Sequence, residues 1–320
     1  RDGYKYSLRF ERGENVTPGE DKLIREPYNG RRTGTIQRFL PDLDVFTDID
    51  IPHDYFVQVV KKQAVVNAGL KFILKNETAP GQFETSEFVY ENGILDYVTE
   101  LAGETSLTLP RFIKTEKTGR DREDKPEYRV KAEAAFCFSN SPMLEYYHNS
   151  SYLEHGGSPD RAVRLAFTYA LDKYLKSNNR YTKNESKITF NDVADCLVLV
   201  INSVSTVTSY ENQTKKAINN VFIADALNEF LRQKLEVYFI ENPKAAELFA
   251  NQALINKHSR ESAEKERLDI KKKLTGTLDI ANRVEKFVNC RSKDPELREL
   301  YIVEGDSAGG SAKEGRDRTI

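Results

Sequence analysis

Five consecutive apolar residues, Leu197 to Ile201, constrain the fold of this chain more than any other stretch. A run that is apolar at every position suits a strand covered on both faces. Two helical segments lie on either side of it in sequence. Val163, Phe167, Leu171 and Tyr174 recur at near-helical spacing in the first, and Ile223, Leu227, Leu231 and Leu235 in the second. The first helix is well signalled: Ser158 is its N-cap candidate, Pro159 suits the first helical position and Asp160 complements the dipole. His155-Gly156-Gly157 breaks the chain before it, and His155 reads as a loop residue, since no other His or Cys has partner spacing.

The remaining elements follow from local pattern. Tyr4 to Phe10 alternate as a strand, closed by the turn residues Pro18-Gly19-Glu20-Asp21, and Ile36 to Leu40 read as a second strand. Asp54 to Val66 form an amphipathic helix ended by Asn67-Ala68-Gly69. Leu70 to Leu74 and Phe83 to Tyr90 suit an antiparallel pair, and Ile94 to Leu101 a short helix. Gly103-Glu104-Thr105 looks like a boundary, with new strands from Arg111. Lys114 to Glu127 are dense in charge and read as a long solvated hairpin loop. Tyr128 to Ser139 alternate as a strand, and Glu145 to Tyr152 give another, more polar one. A further helix is expected from Glu241-Asn242-Pro243 to about Lys273, its second half, Lys257 to Lys273, solvated, with Thr275-Gly276-Thr277 interrupting it. Leu278 to Cys290 then lead to a last strand.

At 320 residues, with 39% hydrophobic and 31% charged residues, the chain has room for two or three domains with real cores. It contains no apolar run near membrane-spanning length, and no membrane partner is expected. A net charge of −2 gives no general pull towards nucleic acid, so any DNA contact must come from local patches. Cys137, Cys196 and Cys290 are odd in number and far apart, which favours reduced thiols in the cytoplasm. Arg1 in place of a start Met, and no signal peptide, suggest a fragment.

Two motifs carry chemistry. Gln213-Thr214-Lys215 lie on a loop ahead of a helix N-terminus, a place suited to phosphate. Lys is a compact charge that reaches a terminal phosphate, and Gln can orient one of its oxygens. Near the end, Leu300 to Val303 read as a short buried strand, with Glu304 where it stops and Gly305 turning the backbone away. Ser307 to Ala312 suit a tight loop opening a helix. A carboxylate at the carboxyl end of such a strand is where ligands and metals bind in α/β sheets. Taken alone, each motif also fits a plain reading: a polar loop before a helix, and a strand-turn-helix junction with a solvated Glu.

Glu304-Gly-Asp-Ser-Ala-Gly-Gly-Ser-Ala resembles the signature that opens the TOPRIM domain of type IIA topoisomerases, in the ATP-operated subunits of gyrase and topoisomerase IV. Gln213-Thr214-Lys215, in its strand-loop-helix setting, resembles the transducer loop of the same family, which reaches the γ-phosphate of ATP. Thr33-Gly34-Thr35 resembles the end of the family's ATPase domain, where Thr35 would touch the adenine edge. Departures exist: Gly156-Gly157-Ser158-Pro159 stands for the usual G-G-T-H, Asp195-Cys196-Leu197 for E-G-L, and Asn282 to Lys286 keep only the Lys of L-P-G-K. Asp294-Pro295 leans towards gyrase over topoisomerase IV.

The resemblance implies an α/β (α+β two-layer) fold. Residues 1–104 would form the tail of a GHKL-type ATPase domain, 105–275 a transducer domain whose mixed sheet is packed by helices and ends in a long helix, and 276–320 the start of TOPRIM. It implies the ATP-operated subunit of a DNA topoisomerase, with ATP and Mg²⁺ as cofactors. Gln213, Lys215 and Thr35 would bind ATP, Lys215 acting catalytically, while Glu304 would bind Mg²⁺ and serve as general acid/base in DNA cleavage. The implied partners are an A-type subunit in an A2B2 heterotetramer, double-stranded DNA, and a second copy on ATP binding. A topoisomerase IV subunit or paralogue, a different TOPRIM nuclease or primase, and a non-catalytic coupling module remain alternatives.

Overall fold

The computed structural model describes residues 1–276, 292 and 294–315, the side chains of 273–276 excepted. The chain divides into two compact units, Arg1–Tyr97 and a second from Val98 onward.

In the first unit, β1 (Tyr4–Ser7), β2 (Phe10–Glu11), β3 (Glu14–Asn15) and β4 (Ile24–Pro27) form two small antiparallel pairs, β1 with β4 and β2 with β3. Helix α1 (His53–Val66) packs on the antiparallel hairpin of β5 (Phe72–Ala79) and β6 (Gln82–Phe88), burying Ala64 and Val65. Asn67 caps the helix, and Gly69, at φ +72°, turns the chain towards β5 with Leu70 N bonded to Asn67 O at 3.0 Å. Ile36 to Leu40 are not a strand: the segment has no pairing partner among the described residues, and Ile36 and Leu40 are almost wholly exposed. Its composition suits a pleated surface, but a strand exists only where another strand takes its backbone hydrogen bonds. Helix α2 (Ile94–Ala102) straddles the division.

The second unit is built on a five-stranded mixed sheet of β7 (Arg111–Gly119), β8 (Tyr128–Phe138), β9 (Met143–His148), β10 (Ser151–Tyr152) and β11 (Leu197–Ser205), in the order β10-β9-β11-β8-β7. Strand β11 lies at the centre, antiparallel to β8 and parallel to β9, and Leu197 to Ile201 are completely buried. That is the position a continuously apolar strand requires. Helices α3 (Ser158–Ser177) and α5 (Val221–Glu241) pack side by side against the sheet. Short α4 (Phe190–Ala194) leads into β11, and α6 (Pro243–Gly276) follows α5 after the single residue Asn242. Both expected apolar stripes face this core.

In the first unit the strand expected over Tyr4 to Phe10 is divided between β1 and β2, and in the second unit four local expectations differ. Lys114 to Gly119 belong to β7 rather than to a loop, because an edge strand carries charge on its open side; only 120–127 connect it to β8. The strand expected over Glu145 to Tyr152 is broken into β9 and β10 by Asn149 and Ser150, both left-handed at φ +48° and +62°. Its polar residues Glu145 and His148 are buried. The N-cap of α3 is Gly157, and Ser158 is its first helical residue. Helix α6 runs on through Thr275 to Gly276, so its interruption falls at its end, while Thr277 to Cys290 lie outside the described residues.

Helix α6 changes character along its length. Up to Glu261 it is tied down: Lys257 is fully buried against Glu185 at 2.6 Å and the Ser186 carbonyl, and Arg260 grips the buried Asp192 through two bonds of 2.7 and 3.1 Å. The lysine holds the Glu185 carboxyl well below the usual carboxylate range. The solvated stretch expected over Lys257 to Lys273 therefore starts later, because Lys257 and Arg260 find carboxylate partners: only from Ser262 to Lys272 is every residue exposed.

Candidate functional site

Gln213, Thr214 and Lys215 form the exposed tip of a short arm between β11 and α5. Tyr210 and Ile218 form an antiparallel bridge along the arm, and bonds from Glu211 N to Ala217 O (3.0 Å) and Asn219 N to Ser209 O (2.9 Å) close it on either side. At the tip the Lys215 amide donates to the Asn212 carbonyl at 3.2 Å, and Thr214 Oγ1 donates to Asn212 Oδ1 at 2.5 Å. Lys215 is left-handed, at φ +58°, a conformation that costs a non-glycine residue about 1–2 kcal/mol and persists where the surroundings impose it. Its ammonium lies 5.6 Å from the centre of the Tyr210 ring and makes no ion pair among the described residues. The tip therefore presents a cation and an amide to solvent on a turn of fixed shape.

The arm is moored to the start of α3. Gly157 pairs with Ile218 in a parallel bridge, the Ser158 amide donates to Ile218 O at 2.8 Å, and the His155 amide donates to Lys216 O at 2.9 Å. The Ser158 hydroxyl, expected to cap its own helix, instead bonds the Ile218 and Asn220 carbonyls at 3.2 and 2.8 Å. Lys216 pairs with Glu154 at 2.5 Å. Gly157 stands at φ +80°, and a Cβ there would lie 2.2 Å from Ile218 O. Only glycine allows this approach.

The N-terminus of α5 is not where an anion would sit. The Phe222 amide is taken by the carboxylate of Asp121, at 2.9 Å, from the loop between β7 and β8. The sequence places the tripeptide ahead of a helix start suited to phosphate; the structure closes that start with a fixed internal carboxylate. An anion at the tip is therefore held by the tip and not by this helix start. Asp121 also accepts from the Tyr128 hydroxyl at 2.9 Å and from Asn220 Nδ2 at 3.0 Å.

The root of the arm holds a buried imidazole. His148 Nδ1 is 2.8 Å from Ser203 Oγ, and Nε2 is 2.9 Å from Thr208 Oγ1. Ser203 Oγ donates to Tyr147 O, so Nδ1 is left as the donor and Nε2 as the acceptor. Burial lowers the His148 pKa to about 4, which keeps the ring neutral at pH 7. Sequence reasoning missed Asp121 and His148. Each sits in a segment read only as polar, and the groups each one bonds lie 7–101 and 55–60 positions away.

The other expected site residues stand apart in kind. Thr35 is an exposed residue of the irregular segment in the first unit. Leu300 to Val303 form no strand among the described residues and are exposed, since no neighbouring strand takes up their backbone groups. Glu304 is exposed and directly precedes helix α7 (Gly305–Gly315), which begins at Gly305 (φ +80°) without the loop expected from Ser307 to Ala312. No group of three His, Cys, Asp or Glu side chains converges among the described residues, so Glu304 by itself does not make a magnesium site.

The DNA gyrase B family model matches residues 93–269. The DNA gyrase B protein of Chlamydia muridarum is 30% identical over 323 residues, covering 99% of this chain and 38% of that protein. Its counterpart in Metamycoplasma hominis is 33% identical over 292 residues, covering 90% and 44%. The chain thus spans about two fifths of the length of the curated relatives it matches. In fold it is similar to the 43K ATPase domain of Thermus thermophilus gyrase B, solved with an aminocoumarin, with a TM-score of 0.61 and 22% identity over 83% of this chain and 69% of that one. It is also similar to the topoisomerase IV ATP-binding domain of Francisella tularensis, with a TM-score of 0.56 and 21% identity over 81% and 67%. No helix among the described residues is long and apolar enough to cross a membrane.

Proposed function

This chain belongs to the DNA gyrase B family, and on that premise we propose that it is the coupling portion of an ATP-operated type IIA topoisomerase subunit. The observation that carries the reading is the exposed Gln213-Thr214-Lys215 tip, a cation with no ion pair among the described residues, on an arm fixed to the starts of α3 and α5. Lys215 meets the γ-phosphate of an ATP held by a nucleotide-binding domain, and Gln213 orients one of its oxygens. The charge matters most as the γ-phosphate becomes the leaving fragment, so Lys215 stabilises the transition state more than the ground state. Displacement of the tip is passed through the Gly157–Ile218 bridge and Ser158 to α3 and the sheet, and through α6 to whatever follows.

In the same reading Thr35 meets the adenine edge, and Glu304 exchanges a proton with the DNA 3′-oxygen during cleavage and religation. Magnesium, expected beside Glu304, would supply charge neutralisation there, with ligands beyond Glu304 that the described residues do not provide. Residues 1–104 serve as the end of the ATPase domain, 105–275 as the transducer and 276–320 as the start of TOPRIM. The partners are an A-type subunit, two of each making the assembly, double-stranded DNA, and a second copy that joins on ATP binding, in the cytoplasm. The test is ATP turnover by the complete protein with its A-type partner and DNA. Lys215→Ala lowers kcat far more than it changes KM; an unchanged kcat overturns the reading.

A further inference from the structure

The geometry points to Asp121 and Asn220 as a positioning pair that sets where the Gln213-Thr214-Lys215 tip stands, an inference that rests on the reading of that tip as the phosphate contact. Asn220 is 2% exposed and sits at the junction of arm and helix, immediately before α5. Its side chain bonds in both directions. Oδ1 accepts from the Ser209 amide at 2.7 Å, which fixes the outgoing strand of the arm where it leaves the sheet. Nδ2 donates to Asp121 Oδ2 at 3.0 Å and lies 3.1 Å from the Tyr128 hydroxyl. Asp121 Oδ1 in turn takes the Phe222 amide and the Tyr128 hydroxyl, both at 2.9 Å. One carboxylate therefore caps the helix and orients the amide that holds the arm.

The orientation of Asn220 is the sensitive point. Its amide has one acceptor and two donors, and only one of its two flipped states puts Oδ1 on Ser209 N. A carboxylate at position 121 selects that state, because it can only accept. The backbone leaves little other freedom: Asn220 O is held by the Ser158 hydroxyl, and the Phe222 ring packs edge-on to Tyr128 at 5.3 Å between centroids. Asp121 itself lies on the charge-dense 120–127 loop, so the pair ties that loop to the arm across 99 positions of sequence.

The chemistry supplies its own rescue. In Asp121→Asn the one amide oxygen at position 121 serves either Phe222 N or Asn220 Nδ2, so the cap on α5 or the link to Asn220 is lost. In Asn220→Asp two carboxylates face each other. In the exchanged pair, D121N with N220D, the amide oxygen introduced at position 121 still caps Phe222 N. The amide nitrogen beside it donates to the carboxylate introduced at position 220, whose second oxygen still accepts from Ser209 N. Every bond of the chain from Phe222 through positions 121 and 220 to Ser209 is restored, with its direction reversed at one link only.

Two readouts on four proteins test this: both single variants, the exchanged pair, and Lys215→Ala. Hydrogen exchange on this chain reads the arm directly. The Ser209 and Asn219 amides should exchange faster in each single variant and return to the wild-type rate in the exchanged pair, with β8 and β11 amides unchanged throughout to show an intact fold. ATP turnover by the complete protein reads the consequence. Each single variant should lower kcat about ten- to a hundredfold, as a misplaced group of about 1 Å does, with KM for ATP within about twofold of wild type. The exchanged pair should recover kcat to within about twofold. If the single variants free the arm but leave kcat unchanged while Lys215→Ala abolishes turnover, the phosphate reading stands and the positioning inference is overturned. If Lys215→Ala leaves turnover unchanged, the phosphate reading itself fails and takes this inference with it. If the exchanged pair behaves like the worse single variant, the two residues act independently and the pair is not the device inferred.

Discussion

Phe138 at the end of β8 and Phe249 on α6 stack face to face, with ring centroids 3.7 Å apart and planes 8° from parallel. Both are fully buried, and Phe249 also lies 6.0 Å from Phe239 of α5. The first half of the long helix is thus part of the core of the second unit, while its far half is bare. A lever of this kind transmits motion only if its anchored end is rigid.

Truncation of that anchor should be costly. Phe249→Ala removes a buried ring and leaves a cavity beside Phe138, for an expected loss of about 3–5 kcal/mol. Urea unfolding of this chain measures it. A loss below about 1 kcal/mol would mean that α6 contributes little to the unit.

The polar clasp further along α6 gives a second, separable test. Lys257→Ala takes the ammonium from the Glu185 carboxylate, whose side chain is only 10% exposed and which then keeps only Thr182 and His258, and should cost about 1.5–3 kcal/mol. Lys71→Ala breaks an ion pair with Glu87 whose partners are 53% and 51% exposed, and should cost under about 1 kcal/mol. Equal effects in equilibrium unfolding would remove the distinction between a buried clasp and a surface pair.

Gly157→Ala should loosen the arm. The new Cβ meets Ile218 O at 2.2 Å in a left-handed backbone, so the cost is at least about 2 kcal/mol. Gly19→Ala, also left-handed but with nothing within 4 Å, should cost only about 1 kcal/mol. Thermal unfolding of both variants checks the contrast, and faster exchange of the Ser158 and Lys216 regions in Gly157→Ala alone locates it.

His148 gives the second unit an acid limit. Its folded pKa is lowered to about 4 from an ordinary 6.5, so below pH 6.5 the unfolded chain takes up a proton that the native ring refuses. Stability from this group is complete above about pH 6.5 and is lost as pH falls towards 4, by about 3 kcal/mol in all. Protonated Nε2 would face the donor of Thr208 Oγ1. Urea midpoints between pH 7 and 4.5 should fall steeply in the wild type and less in His148→Gln; parallel slopes would rule His148 out as the cause.

What can be read from the sequence is whatever a short window encodes. Leu197 to Ile201 as a doubly covered strand, the two apolar helix stripes, and α1 ending at Asn67 all rest on spacing within one element. Leu300 to Val303 and Ile36 to Leu40 have strand composition, yet pairing depends on a partner no local window contains. The same blindness hides the site's supports. Gln213 and Lys215 are visible as types on a loop, but nothing near them announces that Asp121 plugs the helix start from 101 positions away, or that Gly157 carries the arm. Local capping is the common use of a serine at a helix start, yet the Ser158 hydroxyl serves a segment 60 residues later.

The most direct test of the central claim compares Lys215→Ala with Glu304→Ala in the complete protein, reconstituted with the A-type partner and DNA. Lys215→Ala should lower the ATPase kcat roughly a hundred- to thousandfold, an expected loss of about 3–4 kcal/mol at the transition state, with a smaller change in KM. Glu304→Ala should leave DNA-independent ATPase within about twofold of wild type while DNA cleavage stops. Normal ATP turnover by Lys215→Ala, or normal DNA cleavage by Glu304→Ala, would contradict the assignment of that residue.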